Sequence, residues 1–84
     1  MSVHELKCSP EYFDALASGE KTFEVRRDDR GFQKGDELVL HKYRSDGRGY
    51  MGEKVRRRIT WILTGGQLGI EPGFVVMGLK GETD

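Results

Sequence analysis

The segment Gly19-Glu20-Lys21-Thr22-Phe23-Glu24-Val25-Arg26 places an amine, a carboxylate and a guanidinium within six positions. On an extended strand, alternation puts Thr22, Glu24 and Arg26 on one face and Phe23 and Val25 on the other. Lys21 stands at the start of that strand, close enough to join the group if the strand twists. Such a set has two uses. The three charges can neutralise one another as a structural ion-pair network, which contributes little at a surface. Alternatively, Glu24 accepts hydrogen bonds from a base edge while Lys21 and Arg26 hold phosphate or a carbonyl oxygen. In an enzyme, Lys21 would assist and Glu24 would act as general base on water.

Charge is balanced overall but not along the chain. Fourteen Lys and Arg offset fourteen Asp and Glu. Residues 1–25 carry a net charge of −3, residues 26–58 carry +5 and residues 59–84 carry −2. The basic middle holds Arg26, Arg27, Arg30, Lys34, Lys42, Arg44, Arg48, Lys54, Arg56, Arg57 and Arg58. Most are Arg, whose planar fork suits phosphate oxygens and base edges. Tyr43 and Tyr50 flank a Gly-rich loop among these cations and are candidates for stacking on bases. Arg27, Arg30, Arg44 and Arg48 are candidates for holding a nucleic-acid backbone. The bland alternative is a solvated strand surface, and zero net charge predicts weak non-specific phosphate binding.

The remaining reactive side chains are sparse. Cys8, His4 and His41 are too few and scattered for a metal site, so neither metal nor cofactor is expected. Cys8 reads as a small core residue without a disulfide partner. Trp61 reads as core. Glu71, before Pro72, is the acid that could approach the cleft from the other side.

The elements that must position these groups follow from local pattern. His4 to Cys8 alternates and predicts a first strand, with His4, Leu6 and Cys8 on one face. Ser9 is placed as a helix N-cap with Pro10 at the first helical position, and Gly19 as the left-handed residue ending that helix. Strands are predicted from Lys21 to Arg27, Glu37 to Tyr43, Glu53 to Leu63 and Phe74 to Leu79, the last buried on both faces. In Glu53 to Leu63 the face of Ile59, Trp61 and Leu63 is the expected core face, and Arg57 breaks the pattern before it. Ser45 to Gly52, with its Asp-Gly pair, predicts a flexible hairpin loop. Gly65 to Gly73 predicts a second loop. Residues 81–84 are expected to fray from a domain spanning 1–80.

Eighty-four residues make one small domain with little room for a deep site. Twelve Gly against two Ala argue against a helical bundle and for short strands joined by tight turns. No run approaches a membrane span or a secretion signal, and one cysteine suits a reducing cytoplasm. Five strands in so short a chain curl, which hides sheet edges. The expected fold is α+β, a small mixed β-barrel of about five strands with one main helix packed against it, and a monomer.

The pattern G-x-K-x-x-E-x-R directly after the PEYF helix resembles the ASCH domains of the PUA-like superfamily, in their small bacterial and phage branch. The resemblance extends from His4 to Phe32, through Gly35-Asp36-Glu37-Leu38-Val39-Leu40, to ITWIL and GFVVMGL. It implies a PUA-like barrel and a role in binding RNA or a modified nucleotide, with Lys21, Glu24 and Arg26 lining a cleft. A similar ASCH branch hydrolyses acylated cytidine nucleosides, and its members share Lys21 and Arg26. Their nucleophilic Thr falls where this chain has Glu24, and their acidic partner lies on a helix for which Gly65 to Gly73 is short. Thr22 is offset along the strand by roughly 6–7 Å, which argues against its substituting directly. Three functions therefore stand: an RNA- or nucleotide-binding module, a small amidohydrolase, and a protein-interaction module.

Overall fold

The computed structural model describes residues 1–81, so the expected frayed tail lies, from Glu82 onward, outside the described residues. Its order is β1 (Val3–Cys8), α1 (Pro10–Ser18), β2 (Phe23–Arg27), β3 (Glu37–Tyr43), β4 (Tyr50–Thr64) and β5 (Phe74–Lys80). The strands form one curled sheet, a half-barrel, in the order β1-β3-β4-β5-β2. β1 runs parallel to β3, and every other pairing is antiparallel.

Helix α1 begins where Pro10 loses nothing by lacking an N–H, and it ends at Gly19 with φ 88°. Ser9 occupies the cap position, but its side chain makes no capping bond; its carbonyl instead accepts from Phe13 N at 2.8 Å. The apolar stripe of α1 lays Phe13 and Leu16 into the concave side of the sheet. There they meet Leu6 and Cys8 of β1, Leu38 and Leu40 of β3, Ile59 of β4, and Val75, Met77 and Leu79 of β5. The two-residue period of each strand supplies this inner face.

Arg57 follows the same parity and is half-buried. Its Nη2 donates at 2.8 Å to the carbonyl of Leu16, closing the C-terminal turn of α1. The interruption of the apolar pattern in β4 is thus a helix cap, and Val55 beside it packs against the core.

Two expectations about β4 change. The strand starts at Tyr50, not Glu53, because β3 and β4 pair to Tyr43–Tyr50 and shorten the hairpin loop. Trp61 is not core: it is 64% exposed. Register shifts between Ile59, opposite Leu79, and Trp61, opposite Gly78, which leaves Thr60 as a bulge. One extra residue inverts the face of everything after it. Ile62 therefore turns in against Met77, and Trp61 and Leu63 turn out. Gly78 makes room for the bulge, since a Cβ there would stand 3.1 Å from Thr60 Oγ1.

A second inversion occurs on β2. Phe23 and Val25 face outward, whereas Glu24, opposite the fully buried Met77, is only 5% exposed. The polar face of this strand is its inner face.

Candidate functional site

β1 and β2 are the two edges of the sheet, and curling brings them toward each other without a backbone ladder between them. Side chains span the seam. Arg26 Nη2 donates to the carbonyl of Lys7, and Arg30 Nη1 donates to the carbonyl of Glu5 at 2.8 Å. Carbonyls two residues apart on a strand point to the same edge, so these are the outward-pointing acceptors of β1. Two guanidinium groups thus satisfy a strand edge that would otherwise be open to pairing.

Arg26 is itself held from behind. Its Nε donates to Glu24 Oε2 at 2.7 Å, and Lys21 Nζ donates to Glu24 Oε1 at 3.0 Å. Lys21 also donates to the carbonyl of Phe23 at 2.8 Å. Both oxygens of the buried carboxylate are therefore occupied by cations. The Lys–Glu–Arg cluster expected from the motif is present, and it works inward as a clamp that fixes Arg26. Cys8 lies beside it in a smaller hollow; burial, reinforced by the Glu24 charge, pushes its thiol up and keeps it protonated.

Above the seam opens a groove of about 590 Å³ lined by Glu5, Leu6, Lys7, Arg26, Arg30, His41 and Tyr50. Lys7, Arg26 and Arg30 bring three permanent positive charges to it, and Glu5 is the one acid among the lining residues. His41 Nε2 lies 2.6 Å from Glu5 Oε1 and must be the donor, because an ionised carboxylate can only accept. That hydrogen bond holds the Glu5 carboxyl below its ordinary range. Tyr50 is exposed and stands edge-to-face with both His41 and Tyr43, at 5.4 and 5.0 Å between ring centroids. Lys7 Nζ sits 4.6 Å from the Tyr43 ring centre. Groove and aromatic cluster are continuous.

The structure brings Arg26, Arg30, Tyr50 and, through Lys7, Tyr43 to one place. It does not bring the other candidates there. Thr22 is exposed just before β2, where its carbonyl accepts from Leu79 N. Arg27 lies over the Phe74 ring, 4.8 Å from its centre. Arg44 and Arg48 lie at the β3–β4 turn, where Arg48 pairs with Asp46 at 3.7 Å. Glu71 is in the β4–β5 loop and does not line the groove.

Glu5, Lys7 and His41 were not among the sequence candidates for binding. Parity alone puts Glu5 and Lys7 on the outer face of β1. His41 joins them because the parallel register sets it opposite Lys7, a pairing between residues too distant in sequence for local pattern to show. Among the described residues, no group of three or more His, Cys, Asp or Glu converges to hold a metal ion. None of their helices is long and apolar enough to cross a membrane.

Residues 3–79 match a family described as Domain of unknown function (DUF3850). A curated protein of Escherichia phage P2, described as an uncharacterized 12.9 kDa protein in the GpA 3' region, is 40% identical over 58 residues. The match takes in 69% of this chain and 51% of that protein, so the chain spans about half the length of the relative.

Proposed function

The chain belongs to the DUF3850 family, whose match takes in residues 3–79, and we propose that it is a binding module for RNA or a modified nucleotide, with the β1–β2 seam as its site. One observation carries this reading: three fixed cations, Lys7, Arg26 and Arg30, surround a groove floored by a strand edge and walled by the exposed Tyr50. Cations beside an aromatic platform are what a phosphate linked to a base requires. Each guanidinium spends one arm on β1 and keeps further N–H groups for a ligand. Glu24 then serves as a positioning residue that orients Arg26, with Lys21 balancing its second oxygen.

We read the family, on the same grounds, as an ASCH-like member of the PUA-like barrels. The G-x-K-x-x-E-x-R segment runs from the helix cap Gly19 through the buried Glu24 to Arg26 at the seam, which supports that assignment.

The test is an amide NMR titration of labelled protein with short single-stranded RNA, duplex RNA, the same sequences as DNA, and free and acylated cytidine. Shifts should centre on Lys7, Arg26, Arg30, His41 and Tyr50. Arg30→Gln combined with Tyr50→Ala should weaken binding by about tenfold, a loss of about 1.4 kcal/mol. Three phosphate contacts predict that log affinity falls with log salt at a slope of about −2 for a single strand. Silence across the panel, or shifts confined to other faces, would overturn the assignment. New product signals with acylated cytidine would replace it with the hydrolase reading built on Lys21 and Glu24.

A further inference from the structure

The outer face of the β4–β5–β2 half of the sheet is apolar and uncovered. Strand pairing resolves it into rows. Trp61, Gly78 and Phe23 form one cross-strand row, and Leu63, Val76 and Val25 form the next. Trp61 is 64% exposed, Val25 49% and Phe23 46%. Paired residues share a face, so these side chains make a contiguous patch rather than scattered surface apolars. The Thr60 bulge creates it: without that extra residue, Trp61 and Leu63 would point into the core and β4 would contribute nothing.

Cations frame the patch. Arg58 and Lys80 are paired one row before it, and Arg27, opposite Phe74, closes the far end. Lys34 Nζ lies 4.9 Å from the Trp61 ring centre on one flank; on the other, Lys21 Nζ lies 4.8 Å from that of Phe23 while paired with Glu24. Among the described residues, no acid stands in these outer-face rows. An apolar centre enclosed by one sign of charge is a specific demand on whatever covers it.

We propose that this face is a docking surface for an amphipathic helix of another protein, one whose apolar stripe is margined by Asp or Glu. Size and charge select that occupant. Trp61 and Phe23 are each one strand from Gly78, so the patch is two strand spacings wide, roughly 9–10 Å, close to the roughly 10 Å diameter of a helix. A second copy of this chain docked face to face would oppose Arg27, Arg58 and Lys80 with their own equivalents. The aliphatic row of Leu63, Val76 and Val25 offers neither a π-face nor a hydrogen bond to a base. The surface lies on the outside of β2 and is separate from the seam groove.

Trp61 is the chain's one tryptophan, so its fluorescence reports the patch directly. The probe is a synthetic helical peptide of roughly 18 residues, long enough to hold a helix, with Leu at i, i+3, i+4 and i+7 and Glu on both margins. Binding should shift Trp61 emission to shorter wavelength and weaken as salt is raised. The same peptide with Lys margins should bind at least about tenfold more weakly. Val25→Glu, on an exposed position with its amide spectrum checked for folding, should lower affinity for the Glu peptide by a similar factor and leave oligonucleotide shifts at Arg30 and Tyr50 unchanged. Equal affinity for the two peptides would overturn the proposal. So would an emission shift produced by protein concentration alone, by single-stranded RNA, or by vesicles of anionic lipid in the absence of any peptide response.

Discussion

Arg26 and Lys7 join two strands that share no ladder: the guanidinium of one donates to the main-chain carbonyl of the other across the seam between the sheet's edges. The same guanidinium is half of the support for Glu24, which is buried with one cation on each oxygen. Arg26→Gln should therefore cost about 1–3 kcal/mol, because it leaves a buried carboxylate half-compensated and a strand edge open. Adding Glu24→Gln to that variant should recover part of the loss, since the uncompensated charge is then gone. Urea unfolding of the single and double variants checks both signs.

Arg56 and Arg57 are neighbours in sequence with opposite duties. Arg57 Nη2 caps the carbonyl of Leu16, whereas Arg56 Nη1 meets Glu37 Oε1 at 2.8 Å on the solvent side. Arg57→Ala should destabilise the protein by about 1–2 kcal/mol through the frayed end of α1. Arg56→Ala should stay within about 0.5 kcal/mol. Thermal or urea midpoints measured side by side separate them, and equal effects would contradict the cap.

Asp36 gives the fold an acid-sensitive point. Burial alone would push its carboxyl up, but hydrogen bonds from His4, Ser2 N and Gln33 N outweigh that and hold it below its ordinary value. The unfolded chain thus takes up this proton at a higher pH than the folded one. The resulting stability is fully present above the ordinary Asp range, near about 3.9, and is lost as pH falls through it toward the folded value. Asp36→Asn should remove that part of the acid dependence. Urea midpoints between neutral pH and pH 2 to 3, compared for the two proteins, should converge as the pH drops.

Glu5 is the one acid lining the groove. Glu5→Gln should raise affinity for a single-stranded oligonucleotide by about twofold to fivefold at low salt, an effect that fades as ionic strength rises. Unchanged affinity would mean that the ligand does not pass Glu5 and His41.

What was legible in the sequence is what is local. Pro10 and Gly19 bound the helix, and the strand-like run from Glu37 to Tyr43 gave β3 its bounds. Lys21, Glu24 and Arg26 were recognisable as a cluster because six consecutive residues contain all three. Their direction was not. Hydropathy would turn Phe23 and Val25 inward, yet pairing with Met77 buries Glu24 instead, because the core is filled from β5, far along the chain. Trp61 was misplaced for a similar reason: the bulge at Thr60 depends on the missing side chain of Gly78, seventeen positions on from Trp61. The groove also required distant information, since Lys7 meets His41 only through the parallel β1–β3 register.

The strand order also sets a schedule. β3, β4 and β5 are a meander of neighbours joined by hairpin connections, whereas β1 and β2 form its two margins. During synthesis the margins emerge first, before either has a surface to pair with: β1 waits for β3, and β2 waits for β5, the last of the five strands. Glu24, with its flanking cations, therefore cannot be covered by Met77 until β5 has been made. Burial of that charge belongs to the final step of assembly, when the seam closes and the groove comes into existence.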